Sequence, residues 1–164
     1  MPFPATHVLF NIGLFYPFRK YFGKYWFVFA GFSGLLPDLD FGIQIIISFF
    51  GLKIPLLEHG MFFHSIGLVL LLGLIGLIVF LKNKEYGKYV FILAIGSLLH
   101  ILLDYVLGGG RYYLLLLYPF SEIGFRLHLL ESFGSDGYGI LDAVCIFCSM
   151  VWLFILLKKD SFKK

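Results

Sequence analysis

Long apolar runs, interrupted by short polar intervals, dominate the chain. A membrane-crossing helix needs about 20 mostly apolar residues, and residues 63–81, 89–107 and 138–157 meet that length. Two shorter runs, about 3–18 and 21–37, lie near the lower limit and are expected to pack against the others. Residues 41–57, "FGIQIIISFFGLKIPLL", are apolar but contain Gly51 and Pro55, which predicts a re-entrant or interfacial segment. Basic residues fall between the runs. Arg19, Lys20 and Lys24 follow the first, Lys82, Lys84 and Lys88 follow the third, and the tail "KKDSFKK" (158–164) follows the last. With five passes, all three clusters share one side of the membrane, which the positive-inside bias makes cytoplasmic. The N-terminus is then outside and the C-terminus inside.

Composition excludes a water-soluble domain. The chain is 60% hydrophobic and 14% charged, with a mean hydropathy of +0.91. Soluble domains are about 45–50% apolar and about 25% charged, so too few polar residues remain to cover a wet surface. The expected fold is all-α: one integral-membrane helical bundle over residues 1–164, in the plasma or inner membrane. The net charge of +3 comes from the short clusters, which gives no basis for a nucleic-acid partner. The first run lacks a basic leader and a small-residue cleavage site, so it reads as part of the fold. Cys145 and Cys148 of "CIFC" sit in an apolar run and read as small hydrophobes rather than a redox pair.

Candidate chemistry enters through the polar residues that remain. His7, Asp38 and Asp40 of "LLPDLD", His59 and His64 of "HGMFFHS", His100 and Asp104 of "HILLD", and Asp142 all fall at the outer ends of the runs. Charged groups at membrane depth cost roughly 2.5–3.5 kcal/mol on insertion scales, so they pair or face a cavity. His100 and Asp104 are one helical turn apart and share a face. They can ligate one ion together, or the aspartate can orient the imidazole. Asp38 and Asp40 follow the helix-breaking Pro37, and an extended turn would point both the same way. Imidazoles with carboxylates and no thiolates suit zinc, manganese or iron. The set suffices for one to three ions, an arrangement that hydrolyses phosphoesters.

Competing patterns are weaker. "GFSG" (31–34) has the form of a rhomboid-protease nucleophile, but packing of small residues between helices accounts for it better. The HxxxD of lipid phosphate phosphatases is present without that family's arginine-bearing motifs. No HExxH occurs. A channel or transporter would carry polar residues along a whole path, whereas the inner halves of the runs look apolar. The same histidines and aspartates would also suit a metal-binding membrane protein without enzymatic activity, or a polar cluster that only fixes helix packing.

The motif order is Thr6-His7, "GLLPDLD" (34–40), "HGMFFHS" (59–65), "HILLD" (100–104) and Tyr118-Pro119. It resembles the YdjM-like family of LexA-binding, inner-membrane-associated, metal-dependent hydrolases. The resemblance covers residues 5–120 and is distantly similar to zinc phospholipase C. It implies His7, Asp38, His64, His100 and Asp104 as metal ligands, with Asp40 and His59 next and as catalytic candidates. Gly60 and Phe63 stand where that family carries arginine and threonine, and "LGGGR" replaces a Thr-Pro-rich turn. The expected function is hydrolysis of a phosphoester in a membrane lipid or lipid-linked substrate. Gly109, Gly110 and Arg111 can form a phosphate-binding edge of backbone amides and guanidinium. Arg126 is a further candidate for substrate contact, and His128, Glu131, Asp136 and Asp142 are weaker ones.

Overall fold

A computed structural model describes residues 4–108, 113–127, 129 and 134–161. Helix α1 (Pro4–Phe15) passes through a 3₁₀ turn, Tyr16–Phe18, into the short α2 (Arg19–Phe22). Gly23 then reverses the chain at φ +88°, a conformation that favours glycine. Helices α3 (Trp26–Ser33) and α4 (Leu39–Phe49) follow. Two 3₁₀ turns, Pro55–Leu57 and Phe62–His64, lead into α5 (Ile66–Lys82) and α6 (Lys84–Leu107). A loop with one antiparallel bridge, Leu114 to Phe125, precedes α7 (Gly134–Ser161).

Asn83 alone separates α5 from α6. Its side chain accepts hydrogen bonds from the amides of Glu85 (3.0 Å) and Tyr86 (3.2 Å), capping α6. The two helices approach closely, since a Cβ on Gly87 would lie 2.4 Å from the Cα of Phe80. Small residues at such contacts bring backbones together, as membrane helix pairs require.

Arg19, Lys24 and Lys88 gather at one end. The Lys88 ammonium donates to the Tyr21 carbonyl at 2.8 Å and lies 4.2 Å from the Tyr21 ring centre, tying α2 to the start of α6. Arg19 and Lys24 cover the rings of Tyr16 and Tyr25. Helix α7 runs parallel to α1: the Thr6 hydroxyl donates to Asp142 at one end, and the Tyr16 hydroxyl donates to the Leu156 carbonyl at the other.

Span length departs from expectation. Helix α6, with 24 residues, is the one described helix long and apolar enough to cross a membrane. Helices α4 and α5 and the Asp142–Leu156 part of α7 are apolar but shorter. The run at 21–37 yields only the eight-residue α3, about 12 Å at 1.5 Å per residue, because residues 34–38 leave the helix as a turn containing Pro37. The apolar segment at 41–57 is the helix α4 followed by a turn, with Phe49 86% and Phe50 76% exposed.

Polarity is inverted relative to a soluble protein. Leu70, Leu81 and Phe154 are exposed, whereas Asn11, Asp40, His64 and His100 are completely buried. The polar interior is layered along the bundle. His7, His100 and Asp104 form one level. One turn further toward the basic end, the Asn11 amide donates to Ser33 Oγ and to the Gly96 carbonyl, both at 3.0 Å. Ser33 in turn donates to the Ala30 carbonyl at 2.7 Å. Below this level Phe15, Ala30, Tyr89 and Ile92 close the bundle with an apolar layer.

Candidate metal centre

The helices deliver seven histidine and aspartate side chains to the end opposite the lysines. Helix α1 supplies His7 and α6 supplies His100 and Asp104. The turn after α3 brings Asp38, the first turn of α4 brings Asp40, and the loop before α5 brings His59 and His64. Three overlapping triads result, each with donor atoms within 4.8 Å of one another: His7–His100–Asp104, Asp38–His64–His100 and Asp40–His59–His64.

Asp38 and Asp40 lie in a helical turn, not an extended one, as Asp38 has φ −75° and ψ −5°. Residues two apart in a helical turn diverge, so the two carboxylates meet His64 on opposite edges of its ring. Asp40 Oδ2 lies 3.1 Å from Nδ1 and Asp38 Oδ1 lies 3.5 Å from Nε2. His100 is held similarly: its Nδ1 donates to the Gly34 carbonyl at 2.8 Å, which directs Nε2 toward Asp104 Oδ2 at 3.2 Å and Asp38 Oδ1 at 3.6 Å. His64 Nε2 is also 3.6 Å from Asp104 Oδ2.

These four donor atoms form a ring of alternating imidazole and carboxylate, with neighbours 3.2–3.6 Å apart. A tetrahedron with metal–ligand bonds of ~2.0–2.2 Å has edges of roughly 3.3–3.6 Å. Three of the atoms, His64 Nε2, His100 Nε2 and Asp104 Oδ2, are buried and have no hydrogen-bond partner in the protein. Buried polar atoms are normally satisfied, so orphaned atoms lying this close to one another and to carboxylate oxygens fit a divalent cation. Second nitrogens donating to a carboxylate or backbone carbonyl are the usual support for histidine ligands. Here Asp40 supports His64 and the Gly34 carbonyl supports His100.

His7 stacks on His100 with ring centres 3.7 Å apart and places Nε2 3.4 Å from Asp104 Oδ1. Its Nδ1 is buried without a partner. Asp40 is the anchor of the loop. It accepts from His59 Nδ1 at 2.8 Å, from His64 Nδ1 and from the Gly60 amide at 3.3 Å. Gly60 holds φ +84° to make that contact, a geometry a side chain would strain. Burial alone would raise the Asp40 carboxyl pKa, but the hydrogen bonds from His59 and His64 outweigh it and hold it at about 2. Asp40 therefore remains ionised.

Replacing Asp40 with asparagine leaves one acceptor oxygen for three donors. Asp40→Asn is expected to weaken metal binding about 10–100-fold without abolishing it, as read by zinc titration against a competing chelator. Unchanged affinity would remove Asp40 from its supporting role.

The remaining sequence candidates divide. Arg126 carries its guanidinium over the Tyr113 ring, 4.8 Å from its centre, across the Leu114–Phe125 bridge. Asp142 accepts from Thr6 beside His7 and joins α7 to α1. Gly109, Gly110, Arg111, His128 and Glu131, and the Asp136 side chain, lie outside the described residues. Ser33 is bonded to Asn11 and Ala30, so "GFSG" serves packing: a Cβ on Gly34 would meet the His7 carbonyl at 2.7 Å. Three contributors were missed from the sequence, namely the Gly34 carbonyl, the Gly60 amide and Asn11. The φ-permissive glycine of "HGMFFHS" is the one local signal that pointed to any of them.

A family model described as YdjM inner membrane protein matches residues 1–161 of the chain. No curated protein and no solved structure gives a significant match.

Proposed function

The chain belongs to the YdjM inner membrane protein family, and from that premise we propose a membrane-embedded, metal-dependent hydrolase acting on phosphoesters of lipids or lipid-linked substrates. The bundle crosses the membrane in five passes, α3 completing its pass through the turn that follows it, with the His/Asp cluster at the extracytoplasmic end. One observation carries the reading: buried, otherwise unpartnered donor atoms of His64, His100 and Asp104, joined by Asp38, form a ring whose neighbours lie as far apart as adjacent ligands of one divalent ion such as zinc. His7, with Asp104 Oδ1, has donors for a second ion.

A divalent ion bound there supplies charge to polarise a phosphoryl oxygen and acidify a bound water. The protein's own groups do the rest. Asp38 and His59 are 25% and 28% exposed while their neighbours are buried, so substrate and water approach from their side. His59 donates through Nδ1 to Asp40, which fixes the tautomer whose Nε2 accepts a proton and stabilises the imidazolium formed. Asp40 is the orienting group and His59 the general base.

The second reading, ion transport, is disfavoured by the layering. Polar side chains end at Asn11, Ser33 and Ser97, and the apolar layer of Phe15, Ala30, Tyr89 and Ile92 lies across the route.

The test is turnover. Zinc-loaded protein in lipid nanodiscs should release phosphate or a phosphorylated headgroup from phospholipids or polyprenyl phosphates, and chelation should stop it. His59→Ala should lower kcat about 10²–10⁴-fold, the range of general acid–base contributions, while metal content stays unchanged. Stoichiometric metal with no turnover of any phosphorylated lipid would leave a passive metal binder.

A further inference from the structure

Helix α4 has two unlike faces. Phe41, Ile45 and Phe49, with Ile46 beside them, project outward and are exposed. The other face carries Asp40, Gln44 and Ser48 at helical spacing. Between that polar face and the turn that follows lies a cavity of about 290 Å³, lined by Gln44, Ser48, Lys53 and Glu58 with Ile47 and Leu57 among the apolar walls. It adjoins the metal cluster at two points. Gln44 is one turn beyond Asp40 on the same face, and Glu58 precedes His59 in the chain.

The charges in this cavity are not used by the fold. Among the described residues, neither the Lys53 ammonium nor the Glu58 carboxylate is in an ion pair or side-chain hydrogen bond. Ser48 donates its hydroxyl to the Ile45 carbonyl and keeps lone pairs to accept. One cation, one carboxylate and neutral hydrogen-bonding groups thus line a space at the small end of ligand pockets. The aromatic and aliphatic face on the other side of the same helix is suited to acyl chains.

We propose that this cavity is the headgroup subsite for a zwitterionic phospholipid of the leaflet bordering the metal centre. Lys53 binds the phosphate as a point charge. Glu58 binds the ammonium, with Ser48 and the Gln44 carbonyl as further acceptors. The acyl chains stay in the bilayer beside Phe41, Ile45 and Phe49. The assignment rests on the metallohydrolase reading and deepens it by naming the substrate class, a phosphoethanolamine-type lipid, and the edge from which its phosphate reaches Asp38 and His59.

The experiment is native mass spectrometry of the full-length protein released from detergent, titrated with phosphatidylethanolamine or phosphatidylglycerol, with metal content measured in parallel. Wild type should retain the ethanolamine lipid in preference. Lys53→Ala should weaken retention of both lipids about tenfold, the scale of one charge-assisted hydrogen bond, and Lys53→Arg should restore it. Glu58→Gln should abolish the preference while phosphatidylglycerol is retained as in wild type. Neither substitution should change metal content. Equal retention of both lipids by wild type, Lys53→Ala and Glu58→Gln would overturn the subsite. If wild type held no metal but these lipid effects persisted, the hydrolase reading would fail and the headgroup subsite would stand.

Discussion

Wild-type protein purified without chelators is expected to carry about one divalent ion per chain, and His64→Ala and His100→Ala to carry under a tenth as much. These histidines matter more than their neighbours because each is committed at both nitrogens. Nδ1 of His64 is fixed by Asp40 and Nδ1 of His100 by the Gly34 carbonyl, so the Nε2 atoms have one direction left to point. Losing such a ligand removes a bond and also leaves Asp38 and Asp104 facing each other without a cation. The loss in affinity should exceed the roughly 10–100-fold of a supporting residue such as Asp40. His7→Ala should be milder for this ion, since His7 approaches only the other oxygen of Asp104. Elemental analysis of the detergent-solubilised variants reads the result. Wild type without stoichiometric metal, or variants all equally loaded, would refute the proposed centre.

Gly34→Ala is expected to unfold the site end of the bundle. An added Cβ would lie 2.7 Å from the His7 carbonyl carbon and oxygen and 2.8 Å from the Val8 nitrogen. Those are backbone atoms of a neighbouring helix, so no rotamer change relieves the contact, and α1 must move away from the end of α3. Overpacking of this kind costs about 1–3 kcal/mol, or roughly 2–12 °C in Tm for a chain of this size. The same shift carries His7 away from Asp104 and disturbs the carbonyl that orients His100, so metal affinity should fall with stability. Gly42→Ala is the control: nothing lies within 4 Å of its Cβ site, and it should melt like wild type or slightly above. Thermal scans of both variants with and without zinc separate the effects. A Gly34→Ala protein with wild-type Tm and wild-type metal content would contradict the packing account.

The long apolar runs foretold α5, α6 and α7, and the one-turn spacing of His100 and Asp104 placed both on one face. The gathering of histidines and aspartates at the end opposite the lysines was also legible, because membrane depth sorts charge along the chain. Three things were not. Pro37 marked a break, but the end of α3 at Ser33, ahead of it, was hidden in a continuous apolar run, so the second segment read as longer than eight residues. The bond between Asn11 and Ser33 left no mark, since their pairing needs helices brought together across the fold. The division of labour between ligands and orienting groups depends on which nitrogen of His64 and His100 is already bonded, and a backbone carbonyl such as that of Gly34 leaves no mark in a side-chain pattern.

The side chains paired with Asp38, Asp40 and Asp104 are histidines. With neutral imidazoles, the three carboxylates of the cluster carry negative charge that a bound cation, or protonation of the rings, would offset. At the basic end Arg19, Lys24 and Lys88 rest on tyrosine rings, and Arg19 and Lys88 also donate to backbone carbonyls. In the proposed centre, assembly would be asymmetric: one end packs on its own, and the other would close in the same equilibrium that takes up metal. An affinity measured on such a protein would report ligation and closure together, with the ion as the last fastener of the fold.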